Sequence, residues 1–218
     1  RPPRSTLFPY TTLFRSDRKT PEPFETVTTK QIVEPKEIIE KEPLQQAKLH
    51  IGYRTNTVYA DEDYPALQVF NGLFGGFPSS KLFMNVREKH SLAYYASSQI
   101  ESHKGLLFVF SGNAPEDFAK ARDIIREQMV EMKSGNFTED EINEAKEMII
   151  HYLREAMDSN HGLVELFYQQ QLANTGYSLA DIVQKIRAVT KEDVVRVGQK
   201  IEEDTLYLLT SEGGQENG

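Results

Sequence analysis

Arg87 and Tyr94, seven residues apart, are the pair of side chains in this sequence best placed to act on a substrate. Arg87 falls at the end of a short helix, where the helix dipole favours a cation, and Tyr94 opens the strand that follows. The short turn between them can bring both side chains to one rim of a sheet. A guanidinium and a phenol then offer hydrogen-bond donors without a base. That suits holding peptide carbonyls or a developing oxyanion, and it cannot activate water. Read from the residues alone, a structural role is the stronger alternative, with Arg87 paired to Glu88 or another nearby acid and Tyr94 packed on the core. Tyr95 points to the opposite strand face and is expected in the core.

Other chemistries lack their residues. A helical zinc site needs two His about one turn apart with a carboxylate in the same turn, as in H-x-x-E-H. The five histidines, His50, His90, His103, His151 and His161, form no such pair. His151 with Glu155 and His161 with Glu165 are single i,i+4 partners, so each His reads as a surface or capping residue, and no metal site is expected in this chain. Beyond residue 16 there is no G-x-S-x-G, no Ser-x-x-Lys and no Cys, which removes the common nucleophiles. Gly72, Gly75 and Gly76 lack the spacing of a phosphate-binding loop and read as a helix stop.

The elements that must position the pair are legible from periodicity. Residues 47–55 alternate Leu49, Ile51 and Tyr53 against Lys48, His50, Gly52 and Arg54, a half-buried strand. Leu67, Phe70 and Leu73 or Phe74 follow a helical spacing from Tyr64, ended by Gly75 and Gly76. Ser79 or Ser80 caps a short helix with Leu82, Phe83 and Val86 on one face, ending near Lys89. A hairpin follows, residues 93–100 and 106–111, turning at residues 102–105. Its second strand is almost continuously apolar and is expected inside the sheet.

Asn113 with Glu116 is expected to open a helix carrying Phe118, Ala121, Ile125, Met129 and Met132, closed by Gly135. Thr138 with Glu141 is a capping box for a helix carrying Ile142, Ala145, Ile149 and Tyr152. Helices over 161–174, 178–188 and from Thr190 to about Ile201 precede a closing strand at 205–210. The fold class is α+β, a mainly antiparallel sheet with helices packed on one face.

The 218 residues carry 33 acidic and 25 basic side chains, net −8, which argues against a partner nucleic acid held through a basic face. Mean hydropathy is −0.53, and no long uncharged apolar run is present to cross a membrane. The absence of cysteine removes disulfides and fits a reduced compartment, so a cytoplasmic location is expected. Residues 1–16 (RPPRSTLFPYTTLFRS) have no structural period, no acid and no apolar core of signal-peptide length. They resemble the in-frame translation of a widely used DNA-sequencing adapter and are read as not natural. Without their three Arg the net charge is −11, and the chain is expected to be a fragment. Residues 17–43 then read as a linker with one strand near 32–39, residues 44–212 as the domain, and 213–218 as a disordered tail.

Residues 75–95, GGFPSSKLFMNVREKHSLAYY, resemble the second-half (C-terminal, non-zinc) domain of the insulinase/pitrilysin-like zinc metallopeptidases, which include mitochondrial processing peptidase. In that family a helix ending Leu-Arg-Glu turns into a strand beginning Gly/Leu-Ala/Gly-Tyr. The likeness extends over roughly residues 30–212, including Val-Thr-x-Glu-Asp-Val at 189–194. The run at 75–83 and the doubled Tyr94-Tyr95 are most similar to the bacterial branch associated with elongation factor P modification, whose member of this type lacks the zinc motif.

The resemblance implies a LuxS- and processing-peptidase-like half-domain in which Arg87 and Tyr94 are substrate-binding and no residue is catalytic. Zinc would be supplied by a partner half or subunit, as a hetero- or homodimer, with a peptide or protein substrate enclosed between them. By that reading the fragment alone is not an enzyme. One alternative is a non-peptidase interaction subunit that binds a protein or peptide in the same chamber without cleaving it. Another is a ferredoxin-like small-molecule-binding domain, which an apolar pocket with no open groove beside Arg87 would favour.

Because residues 1–16 have neither period nor counter-charges, deleting them is expected to leave the thermal midpoint unchanged within error; a large fall in a melting experiment would place them in the core.

Overall fold

The alternation at Ala47–Arg54 is realised as a strand with Ala47, Leu49, Ile51 and Tyr53 buried. The computed structural model describes residues 34–211; the adapter-like segment, most of the linker and the tail lie outside the described residues. The sheet has five strands: β1 (Lys36–Lys41), β2 (Ala47–Arg54), β3 (Ala93–Glu101), β4 (Leu106–Asn113) and β5 (Glu202–Thr210). Their spatial order is β1-β5-β2-β4-β3, with β1 parallel to β5 and every other pair antiparallel. The apolar strand β4 is interior, between β2 and β3, as its composition requires. The expected strand near 32–39 appears slightly later, as the exposed edge strand β1.

The helices are α1 (Tyr64–Asn71), α2 (Phe83–Lys89), α3 (Phe118–Lys133), α4 (Glu139–Met157), α5 (Asn160–Ala173), α6 (Leu179–Ala188) and α7 (Lys191–Gln199). They cover one face of the sheet. On that face lie Leu49 and Ile51 of β2, Leu107 and Val109 of β4, and Leu206 and Leu208 of β5, all buried beside Phe70, Phe74, Ile125, Met132, Ile142 and Val194. Fully burying one such side chain contributes about 1.5–3 kcal/mol. The other face carries a row that runs Ile38, Tyr207, His50, Phe110, Ser97 across all five strands, in register. His50 sits edge-on to Phe110 at 5.0 Å, and burial, then Lys48, pull its pKa below the ordinary value.

Caps follow the sequence closely for the later helices. Thr138 with Glu141, Ser178 with Asp181 and Thr190 with Asp193 all form reciprocal capping boxes. Asn113 does not open α3. It is buried at the end of β4, and α3 starts beyond Asp117, which makes no side-chain cap.

Two segments are wider than α-helix. Gly72–Gly76 extends α1 as a π-helical turn, and α2 itself is π-helical. Such i→i+5 segments are rare and short. The first brings Gly75 against β3 so closely that a Cβ there would lie 2.6 Å from Ser98 Oγ, 2.7 Å from the Ser98 backbone nitrogen and 2.8 Å from Leu82. Two of those neighbours cannot move without shifting β3 or α2. Gly75→Ala is therefore expected to destabilise the fold by about 1–3 kcal/mol, read as a lower denaturation midpoint with an unchanged slope.

Candidate functional site

The site is built on α2, the turn after it and the first residues of β3. Ser80 starts α2, its hydroxyl accepting from the Phe83 N–H at 3.5 Å, and the fully buried Leu82 and Val86 anchor the helix to the core. Asn85 donates to the Lys81 carbonyl at 3.0 Å and to the buried Gln128 side chain at 2.8 Å, which ties α2 to α3. Lys81 reaches Glu141 on α4 at 2.7 Å. Burial pushes the Glu141 carboxyl up, but Lys81 and the Thr138 amide outweigh it and hold the carboxyl below its ordinary value. A partly exposed pair of this kind is worth at most about 1 kcal/mol, so its role is to set the position of α2.

Arg87 lies in the last turn of α2, its side chain 44 % exposed. The guanidinium carbon stands 4.7 Å from the centre of the Phe83 ring, while Glu88 is 3.7 Å away, longer than a hydrogen bond. The structural alternative of an Arg87–Glu88 pair is thus present only as a loose contact. The backbone then turns sharply. The Ser91 N–H donates to the Arg87 carbonyl and the Leu92 N–H to the Val86 carbonyl, both at 3.0 Å, with Ser91 in the left-handed region at φ 51°. Leu92 is buried, and its carbonyl accepts from the side chain of Asn113 at 2.8 Å.

Tyr94 occupies a β-bulge. Ala93 faces Asn113 and Tyr95 faces Gly112, so Tyr94 is the extra residue between two paired ones. Bulges of this kind re-aim a side chain at a sheet edge. Tyr94 is 68 % exposed, and its hydroxyl has no hydrogen-bond partner among the described residues. It does not pack on the core. Arg87 and Tyr94 thus lie on either side of the connection at residues 90–92, and no hydrogen bond joins them among the described residues. Each is an exposed side chain that carries hydrogen-bond donors.

Tyr95 departs from expectation. It is 38 % exposed and lies on the open face of the sheet, where no helix of the described residues covers it, with its ring over Gly112. A Cβ on Gly112 would come within 2.3 Å of that ring, so the glycine is what makes room for it. Asn113 is the residue that sequence reasoning missed. Its alternation along β4 places it at the strand end, yet its helix-capping residue type concealed its contact with the turn.

The histidines are dispersed. His50 is on the open sheet face, His103 stacks on Tyr59 at 5.3 Å in the β3–β4 turn and contacts Gln169, and His90, His151 and His161 are exposed. Among the described residues no three His, Asp or Glu side chains converge to hold a metal, so these residues do not fit a zinc site. An apolar cavity near the β3–β4 turn is lined by Tyr59, Tyr64, Leu153, Leu166, Tyr177 and Ile182, and includes neither Arg87 nor Tyr94. A small ligand bound there would not touch the pair.

A sequence profile described as Peptidase M16 inactive domain matches residues 9–149. This chain belongs to that family. It is 49 % identical over 201 residues to a Bacillus subtilis protein described as probable inactive metalloprotease YmfF, covering 92 % of this chain and 47 % of that one. It is 26 % identical to the uncharacterized zinc protease YmxG of the same organism, over 80 % of this chain and 43 % of the relative. Among solved structures, a conserved protein from Enterococcus faecalis superposes with a TM-score of 0.80 at 35 % identity, covering 86 % of this chain and 44 % of that one. A peptidase M16 inactive domain from Pseudomonas fluorescens shares the fold, with a TM-score of 0.73 at 19 % identity over 84 % of this chain and 45 % of that one. This M16 chain spans about half the length of the curated relatives it matches. The resemblance to the insulinase/pitrilysin-like metallopeptidases, and to their C-terminal domain, is thereby established, as is the α+β fold.

Within this M16 domain the side chains of Arg87 and Tyr94 support no core, whereas Asn113 holds the turn that carries them. Tyr94→Phe is expected to leave stability within about 0.5 kcal/mol and Arg87→Ala to cost under about 1 kcal/mol. Asn113→Ala is expected to cost about 1–3 kcal/mol, because the buried Leu92 carbonyl loses its partner. Chemical denaturation of the three variants checks the contrast.

Proposed function

We propose that this chain is the substrate-binding, non-catalytic half of an M16 metallopeptidase, with Arg87 and Tyr94 contacting a peptide at a zinc site that another half or subunit supplies. The observation that carries the reading is the bulge at Tyr94. It leaves an aromatic donor exposed at the start of β3, seven residues after an exposed guanidinium. The names of relatives such as the zinc protease YmxG support the metal chemistry of the assembly. The chain's own contribution is confined to recognition: the guanidinium and the phenol each donate to carbonyl oxygens of an extended peptide. A cytoplasmic location goes with this reading.

The test uses the assembly formed with a zinc-bearing M16 half. Tyr94→Phe removes one donor and is expected to lower turnover by about 100-fold, the low end of the range for losing one such group. Arg87→Ala is expected to weaken peptide binding as well as turnover, since its contacts exist before the reaction. Loss of activity that tracks loss of melting temperature in both variants would make the pair structural.

A second reading is favoured by the description of YmfF as a probable inactive metalloprotease. On it, the same rim holds a peptide or protein that is never cleaved. Arg87→Ala would then weaken binding in an assembly that shows no turnover, and the full-length gene would carry no H-x-x-E-H.

A further inference from the structure

Helices α1, α4, α5 and α6 leave a cavity where they meet near the β3–β4 turn. Leu153 of α4, Leu166 of α5 and Ile182 of α6 give it an apolar lining, and Tyr59, Tyr64 and Tyr177 an aromatic one. Two of the rings are fixed by neighbours. The Tyr64 hydroxyl lies 2.7 Å from Ser102 Oγ, while Tyr59 stands 4.7 Å from the Tyr64 ring and stacks on His103 at 5.3 Å. Burial raises the pKa of both phenols, that of Tyr64 to about 12, so both are neutral near pH 7. The space left open, mouth included, is about 480 Å³, room for a ligand with one ring.

The polar groups of this cavity are unspent. Lys185, the one cation of the lining, lies one turn beyond Ile182 with its Nζ 4.5 Å from the centre of the Tyr177 ring. It forms no ion pair among the described residues. Asp181, one turn back on α6, is already engaged: it accepts from the Ser178 N–H at 2.9 Å and from the Ser178 hydroxyl at 2.6 Å. Asp61, the one acid of the lining, accepts from the Val58 N–H at 2.8 Å. The hydroxyls of Tyr59 and Tyr177 and the side-chain amide of Gln68 make no hydrogen bond among the described residues.

We propose that this cavity binds a small aromatic carboxylate, with its ring among the three tyrosines and its carboxylate on the Lys185 ammonium. An apolar concavity with a few polar groups that fix orientation is the general form of a small-molecule site. The tyrosines suit a ring, because aromatic pairs gain from offset and edge-on contacts beyond the area they bury. Lys185 sets the sign of the charge. A second ammonium would be repelled by it, whereas a carboxylate gains a charge-assisted hydrogen bond. Asp61 limits the ligand to one acid group, since a second would add a like charge to the same lining. The cavity includes neither Arg87 nor Tyr94, so the inference does not depend on the function of that rim.

Titration calorimetry of the 218-residue chain against phenylacetate, 4-hydroxyphenylacetate and 3-phenylpropionate reads the binding directly. One-to-one binding of at least one acid is expected, with a Kd at or below about 1 mM. The matching primary amide has the same shape without the charge, and is expected to bind about tenfold more weakly or worse. Lys185→Gln is expected to weaken the acid by a similar factor and to leave the melting temperature unchanged, since the ammonium supports no ion pair. Leu166→Phe, which fills the cavity, is expected to abolish binding. Arg87→Ala/Tyr94→Phe is expected to leave binding unchanged. The proposal is overturned by no binding of any of the three acids at about 1 mM, or by an amide that binds as well as its acid. Full affinity in Lys185→Gln or Leu166→Phe, or loss of binding in the rim variant, would place the ligand elsewhere and overturn it too. The amide comparison needs no variant and so does not depend on how any substitution folds.

Discussion

The contact between the Gly72–Gly76 turn and β3 sets the geometry on which the rest of this domain depends. With no side chain at Gly75, helical backbone lies directly on the strand at Ser98, and the Ser98 hydroxyl donates to Asn71 at 2.7 Å to close the same contact. The helix layer is thereby brought to the sheet at β3, and Leu82 is drawn into the junction. Since α2 and β3 are consecutive in the chain, this one approach fixes both elements that carry the exposed pair. A methyl group at Gly75 would act on the site only through that displacement.

The same region combines features that cost stability. A π-helical turn, a π-helical α2, a left-handed Ser91 and a β-bulge at Tyr94 occur within residues 72–95. Elsewhere the sequence is locally consistent: three capping boxes, regular alternation in β2, β4 and β5, and apolar stripes on α3 and α4. Irregular backbone persists where surrounding structure over-determines it. Here the over-determination comes from buried Leu82, Val86 and Leu92, and from Asn85 and Asn113 bonding across to α3 and the turn. The strain is concentrated where the chain presents Arg87 and Tyr94.

Electrostatics separates the helix layer from that rim. Asp63, at the start of α1, accepts from Arg196 and Lys200 at 2.6 Å each, and these two hydrogen bonds hold its carboxyl below the ordinary range. Arg126 pairs with Glu203 to join α3 to β5, and Lys81 with Glu141 to join the approach of α2 to α4. Most charged groups near the core thus serve to register elements, whereas Arg87 has only a ring beneath it and a distant carboxylate. That difference in surroundings, more than residue type, marks it as available.

The sequence by itself determined the element order, the interior place of β4, the later caps and the family, because periodicity, capping chemistry and motif spacing are properties of neighbouring residues. Tertiary structure alone decided which face of β3 was covered. Tyr95 alternates correctly with Ala96, but the helices lie on the Ala96 side, so the tyrosine faces outward. It also decided that Asn113 binds the Leu92 carbonyl instead of a helix end, since its partner lies 21 residues away. The bulge at Tyr94 arises from the register between two strands, and no pattern within one strand encodes register with another. Local signals named the candidate residues; long-range packing set their exposure.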